Sequence, residues 1–142
     1  MTNNVYTTSH AFTLSTSAAV LTIQQPAATA NTVEVLFVRL ETSADLVFEL
    51  ERNGTAATAT ATTEVGTSAN NPTATATAFH TSDVGNGTTI DTILVQSDVE
   101  KTVDMVPYNV WLVGVGTTKN FSVRSASSAS STVRITIGWR ET

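Results

Sequence analysis

The segment TVRITIGWR, residues 132–140, alternates apolar and polar side chains with a period of two. Only an extended strand puts every second residue on one face; a helix would scatter Val133, Ile135, Ile137 and Trp139 around its axis. Slipping the register by one residue would bury Arg134 and Arg140 and expose the tryptophan, so the residues themselves specify the register. The same alternation recurs along the chain. Phe12 and Leu14 alternate with Ala11 and Thr13, and Leu21 and Ile23 with Thr22 and Gln24. Further strands are expected over Ile90–Ser97, Thr102–Val106, Tyr108–Val115, Asn120–Ser125 and Thr132–Trp139, with turns at SDVEK, GVGTTKN and SASSASS. The spacing, about ten residues per strand and turn, is that of a sandwich or barrel.

Two neighbouring segments break the simple pattern. In VEVLFVRLE, Val33, Val35 and Phe37 share one face while Leu36, Val38 and Leu40 fill the other. A strand apolar on both faces is either central in a sandwich or covered by a partner subunit. In DLVFELERNG, Leu46, Phe48 and Leu50 share one face and Glu49 and Glu51 the other, which predicts a solvated carboxylate pair. The short TSA joint between the two segments predicts a hairpin, and Asn53-Gly54 a turn after the second.

The tract TAATATATTEVGTSANNPTATATA, residues 55–78, poses its own question. Thr58–Thr62 and Thr73–Ala78 alternate strictly, which fits strands and fails the helical template. Two strands are expected, with a loop over Glu64–Pro72 between them. Their alanine faces are shallow, so they pack closely or lie at an edge; the alternative is a linker.

Composition agrees with an all-β chain. Thr supplies 28 of 142 residues, only 13% are charged, and Lys occurs twice. Threonine is β-branched and keeps a strand face wettable without charge. A single domain of this length can bury a core. The reading is an antiparallel β-sandwich of about eight to ten strands. Net charge is −5 and the basic residues are scattered, which argues against a nucleic-acid partner. There is no cysteine, hence no disulfide and no thiolate metal site. The start MTNNVYTTSH is unlike a secretory signal, and no apolar run reaches the ~20 residues a membrane helix needs. A soluble protein made in a cytoplasm is expected, with no membrane partner.

The residues offer little catalytic chemistry. His10 and His80 stand apart without HxH or HExxH spacing and read as surface or strand-end residues, so neither a metal nor a cofactor is expected. No GxSxG elbow accompanies the serines. Asp83, Asn86 and Asp91 lie in a Gly-rich stretch that turn chemistry explains. Three Asn-x-Ser/Thr sequons, at Asn53, Asn86 and Asn120, are expected by chance in so Thr-rich a chain. Trp139 follows the inward parity of its strand, and Trp111 with Val113 and Val115 is read as core too. An enzyme is not expected.

The order of these features resembles small proteins encoded in the head-gene modules of tailed phages and prophages. The likeness runs through His10–Ile23, Val33–Arg52, the Thr/Ala-rich residues 55–78 and Val133–Glu141. The segment Thr81–Thr89 is shorter than the proline-bearing loop common there. The resemblance implies a jelly-roll virion structural protein, similar to capsid decoration or cement proteins. Such proteins are made in the host cytoplasm, sit on the capsid exterior, bind the major capsid protein where capsomers meet, and often form trimers. An acidic, Lys-poor surface suits the outside of a shell. On this reading residues 1–10 form a flexible arm and residues 11–142 the sandwich. Met1, Thr2, Asn3, Asn4, Val5, Tyr6 and His10 would dock on the capsid, and Leu36, Val38 and Leu40 would contact neighbouring subunits. The rivals are a glycan- or host-binding module of a head fibre or tail, marked by an exposed Trp111 or Tyr108, and a tail-tube or connector protein.

Overall fold

The period-two segments form strands, and the strands form two antiparallel sheets packed face to face. The computed structural model describes residues 4–14, 19–24, 31–52, 60–68, 70–81, 87–113, 119–125 and 131–142. In chain order the strands are β1 (Asn4–Thr13), β2 (Val20–Gln24), β3 (Val33–Thr42), β4 (Leu46–Arg52), β5 (Thr60–Thr62), β6 (Val65–Gly66), β7 (Thr77–Thr81), β8 (Thr88–Val95), β9 (Lys101–Asp104), β10 (Trp111–Leu112), β11 (Asn120–Ser125) and β12 (Thr132–Glu141). A 3₁₀ turn, Val106–Tyr108, separates β9 from β10.

The pairing has the order of a jelly roll. β1 pairs with the last strand β12, β2 with β11, β3 with β9 and β10, and β4 with β8. That nesting is one long hairpin, rolled up so that β12 also meets β3 and β11 also meets β4. The first sheet therefore runs β10/β9–β3–β12–β1–β6 and the second β5–β7–β2–β11–β4–β8. Between them lie Trp139, Tyr6, Phe48, Phe121, Leu21, Ile23, Ile135 and Ile137, all essentially buried. Each apolar side chain removed from water adds about 1.5–3 kcal/mol, so this layer is the main stabilising term.

The joint between β3 and β4 is a corner and not a hairpin, because β3 belongs to the first sheet and β4 to the second. It is held from outside by Ser97, whose amide donates to Asp45 Oδ1 at 2.7 Å and whose hydroxyl donates to the Ser43 carbonyl at 2.9 Å. Turn residues alone signal a change of direction, and the choice between folding back and crossing over is made by these distant partners.

The double-faced character of β3 also has a local cause. Gly138 pairs with Phe37 but Trp139 pairs with Val35, so β3 carries one extra residue at Leu36. This β-bulge flips the parity of the strand. Val33 and Val35 face the core before it, and Val38 and Leu40 face the core after it, all fully buried. Leu36 is left half-exposed at the bulge, where its carbonyl accepts the Met105 N–H at 2.8 Å. Val38 and Leu40, expected at a subunit contact, are thus buried within the chain's own core. On the outer face the Phe37 ring covers Gly138 so closely that a Cβ there would sit 2.1 Å from a ring carbon. The Arg39 guanidinium lies 5.7 Å from the same ring centroid.

The Thr/Ala tract folds as part of the sandwich. β5 and β7 pair as an antiparallel edge to the second sheet, and β6 adds to β1 in the first. Residues 60–68 and 70–81 therefore strap the β1/β2 side of the roll. The alternation in Thr58–Thr62 becomes a strand from Thr60 on, residues 53–59 lying outside the described set. The second strand runs Thr77–Thr81 instead of Thr73–Ala78, because Glu141 captures the amides of Thr75 and Ala76 that a sheet neighbour would otherwise take. The expected loop over Glu64–Pro72 contains β6.

Of the residues 1–10 expected as an arm, Asn4–His10 belong to a strand. Asn4–Thr13 pairs with β12 over its whole length, since Tyr6, Thr8, His10 and Phe12 supply an inward face and threonine favours the strand. Met1, Thr2 and Asn3 lie outside the described residues. Tyr108 belongs to the 3₁₀ turn and not to a strand; Pro107 sets that turn's backbone and removes an N–H that a sheet would need.

Candidate functional site

Two places on this frame gather chemistry: the seam between strap and roll, and the opposite open side. At the seam, Glu141 is almost wholly buried near the end of β12. Its carboxylate accepts hydrogen bonds from the Thr75 amide (2.9 Å), the Thr75 hydroxyl (2.7 Å), the Ala76 amide (3.0 Å) and Trp139 Nε1 (3.1 Å). A carboxylate with this many donors exchanges its hydration for fixed partners, which is how a buried charge is tolerated. Glu64 does the same on a smaller scale, accepting the Ala78 N–H at 2.7 Å. Tyr6 donates its hydroxyl to the Pro72 carbonyl at 2.8 Å and stacks on Trp139 at 5.8 Å. Burial, and then the Glu141 charge, raise its phenol above the ordinary value. Thr8 donates to the Thr63 carbonyl at 3.0 Å, and the Val5 carbonyl accepts from Asn71 Nδ2 at 2.7 Å and the Thr67 amide at 2.9 Å. Val5 and Tyr6 are thus engaged in holding the strap.

The same seam brings the two histidines together. His10 on β1 and His80 on β7 stack with ring centroids 3.5 Å apart and planes 13° from parallel. The Phe12 ring stands edge-on to His10 at 4.6 Å, and Thr62 Oγ1 hydrogen-bonds His80 Nδ1 at 2.7 Å. Between β1 and the strap lies a 430 Å³ cleft lined by Thr8, His10, Thr62, Thr63 and His80 among others. His10 is pushed below the ordinary imidazole value, first by burial, then by His80 and Arg134. Parallel rings hold their nitrogen lone pairs side by side, not converging on one point. Among the described residues no third His, Cys, Asp or Glu joins them in a metal-binding group. Nothing in the sequence pairs these two residues; only the inward parity of β1 places His10 in line with Tyr6 and Phe12.

The open side is formed by the free edges β8 and β9–β10. The exposed large apolar side chains among the described residues are Val47, Val65, Leu94, Val99, Val106, Trp111 and Val113. All but Val65 lie on these two edges, in the segments joining them, or, for Val47, directly across from Leu94. Trp111 is 41% exposed and not core, because Leu112 takes the inward position on this short strand. Its indole N–H donates to Asn109 Oδ1 at 2.8 Å. Asn109 holds the left-handed conformation (φ 54°) that closes the 3₁₀ turn, one of the few residue types that tolerates it. Tyr108 ties the turn to β8 by donating its hydroxyl to Asp91, which lowers the Asp91 carboxyl and raises the phenol.

Elsewhere, Glu51 is buried and not solvated. Burial raises its carboxyl, the Gly87 amide at 3.3 Å pulls it down, and Glu49 pushes it up again. A groove of 530 Å³ opens where β1, β3 and β12 meet the Asp98–Glu100 turn, and Arg134 and Glu41, opposite each other in the β12–β3 register, line it.

Of the residues expected to dock, Asn4, Val5, Tyr6 and His10 lie along β1; of those expected to contact subunits, Leu36, Val38 and Leu40 lie along β3. The structure does not join either set into one exposed surface. No protein-family model, curated protein or solved structure matches the chain.

Proposed function

We propose that the protein is a non-enzymatic virion structural protein of a tailed phage, a capsid decoration or cement protein that binds the outer shell between capsomers. The observation that carries this reading is the asymmetry of the sandwich. One side is closed by the strap, and the other leaves two strand edges bearing most of the exposed apolar side chains. Exposed apolar groups gathered on open edges are the usual mark of a surface that meets another chain. The docking surface is therefore assigned to the β8 and β9–β10 side, replacing residues 1–10 and the apolar residues of β3. Net charge of −5 suits the exterior of a shell that holds DNA. The partner is the major capsid protein, with the protein acting as a trimer. It stabilises the expanded head by binding that state better than the precursor, an effect of mass action.

Light scattering after gel filtration, with sedimentation against expanded and precursor heads, tests this. A trimer that co-sediments with expanded heads only, and a Leu94→Ser/Trp111→Ser variant that stays trimeric but no longer does so, is the expected result. A monomer that ignores both heads contradicts it. The exposure of Trp111 beside a polar turn also favours a glycan-binding module. That reading predicts quenching of Trp fluorescence by a sugar, lost in Trp111→Ser.

A further inference from the structure

We infer that the stacked His10–His80 pair is an acid-sensitive latch: neutral imidazoles hold the strap on the roll, and protonation drives the strap away. The placement is what makes this a latch. His10 is on β1 in the first sheet and His80 on β7 in the second, so repulsion between the rings pushes β7, with β5 paired to it, away from β1 and loads the β7–β2 ladder. Neutral imidazoles stack through their faces, with the Phe12 edge closing one side. Two imidazolium rings at 3.5 Å would place like charges in direct contact, well inside the range where repulsion dominates.

The surroundings do not relieve that repulsion. Arg134, on β12, adds a third positive charge acting on His10. Glu64, the acid on the strap beside β5, already accepts the Ala78 amide. Thr62 offers His80 a neutral hydroxyl and no charge. Burial, the His80 ring and Arg134 all disfavour protonated His10. Opening therefore takes up protons. The closed form is fully favoured above the free imidazole value near 6.5, and loses up to about tenfold per pH unit per proton as pH falls below it. The strap is also tied to the roll by the β7–β2 ladder and by the buried Ala76 and Ala78, so lifting it means peeling β7 from β2 at the end of the second sheet, while the large apolar side chains between the other strands stay in place.

The chain has no cysteine, so spin labels can be placed at will. A Thr60→Cys/Thr102→Cys pair reports the distance from the strap to the far edge of the first sheet; a Thr102→Cys/Thr132→Cys pair lies within that sheet as control. Between pH 7.5 and 5.0 the first distance is expected to lengthen and broaden while the control stays constant, and His10→Gln or His80→Gln is expected to abolish the change. A first distance that does not move over this range overturns the latch. So does a change that persists unaltered in both variants, since it would belong to a group other than these two histidines. Proton resonances of the two imidazoles in the unlabelled protein give an independent check. The His10 resonance is expected to titrate below the free value and to move back toward it in His80→Gln, and a His10 titration that His80→Gln leaves unchanged overturns the coupling.

Discussion

The roll and the strap are both β-structure, yet they are held by different physics. The roll closes on large apolar side chains: Phe48, Phe121, Leu50 and Ile135 are fully buried between its sheets. The strap brings alanines and threonines, and what fixes it is polar. Glu141, Tyr6 and Thr8 reach it from the roll with hydrogen bonds, Asn71 reaches back to β1, Glu64 accepts an amide within the strap, and His80 of the strap stacks on His10 of β1. Alanine buries little area, so a strand of alternating Thr and Ala cannot dock through the hydrophobic effect alone. Backbone amides that meet a buried carboxylate supply the missing specificity, at the cost of dependence on single residues.

Substitutions can break that comparison from either side. Phe48→Ala should have the largest effect, about 3–5 kcal/mol, because it opens a cavity in the roll on which both regions rest. Urea unfolding should show one cooperative transition at lower midpoint. Glu141→Gln should cost about 2 kcal/mol, since a buried amide cannot satisfy the donors that the carboxylate holds. Its signature is regional: amide protection falls in residues 70–81 while β3 and β11 keep theirs. Gly138→Ala should cost about 1–2 kcal/mol, because the Phe37 ring must leave its seat over the bulge. Near-ultraviolet circular dichroism and the thermal midpoint would register it, and Phe37→Ala in the same chain should remove most of the penalty. Val65→Thr, on the exposed face of the strap, should change stability by less than about 0.5 kcal/mol. A larger loss there would mean that apolar burial holds the strap after all.

How much of this the residues announce depends on the range of the interaction. Alternation is local, so the strands at Val133, Leu46 and Asn120 are legible, and with them an antiparallel sandwich. Parity fails at Leu36, where the cause is a register shift against Gly138 on a strand far away in sequence. An extra residue in a bulge looks, in sequence, like a second apolar face. The corner after Thr42 reads as a hairpin because turn residues do not encode which sheet the chain enters next. Trp111 reads as core because its strand is taken as long, whereas β10 is only Trp111–Leu112. The candidate sites were the least legible. A glutamate that clamps two amides and a histidine that stacks on another carry no local mark, because their partners arrive only when the sheets close.

Native-state hydrogen exchange tests the central contrast most directly. At neutral pH the amides of β5 and β7 should exchange through a local opening of lower free energy than those of β3, β11 and β12, and Glu141→Gln should widen the gap. Equal protection across strap and roll, falling together in Glu141→Gln, would contradict the account and make the two regions one cooperative unit.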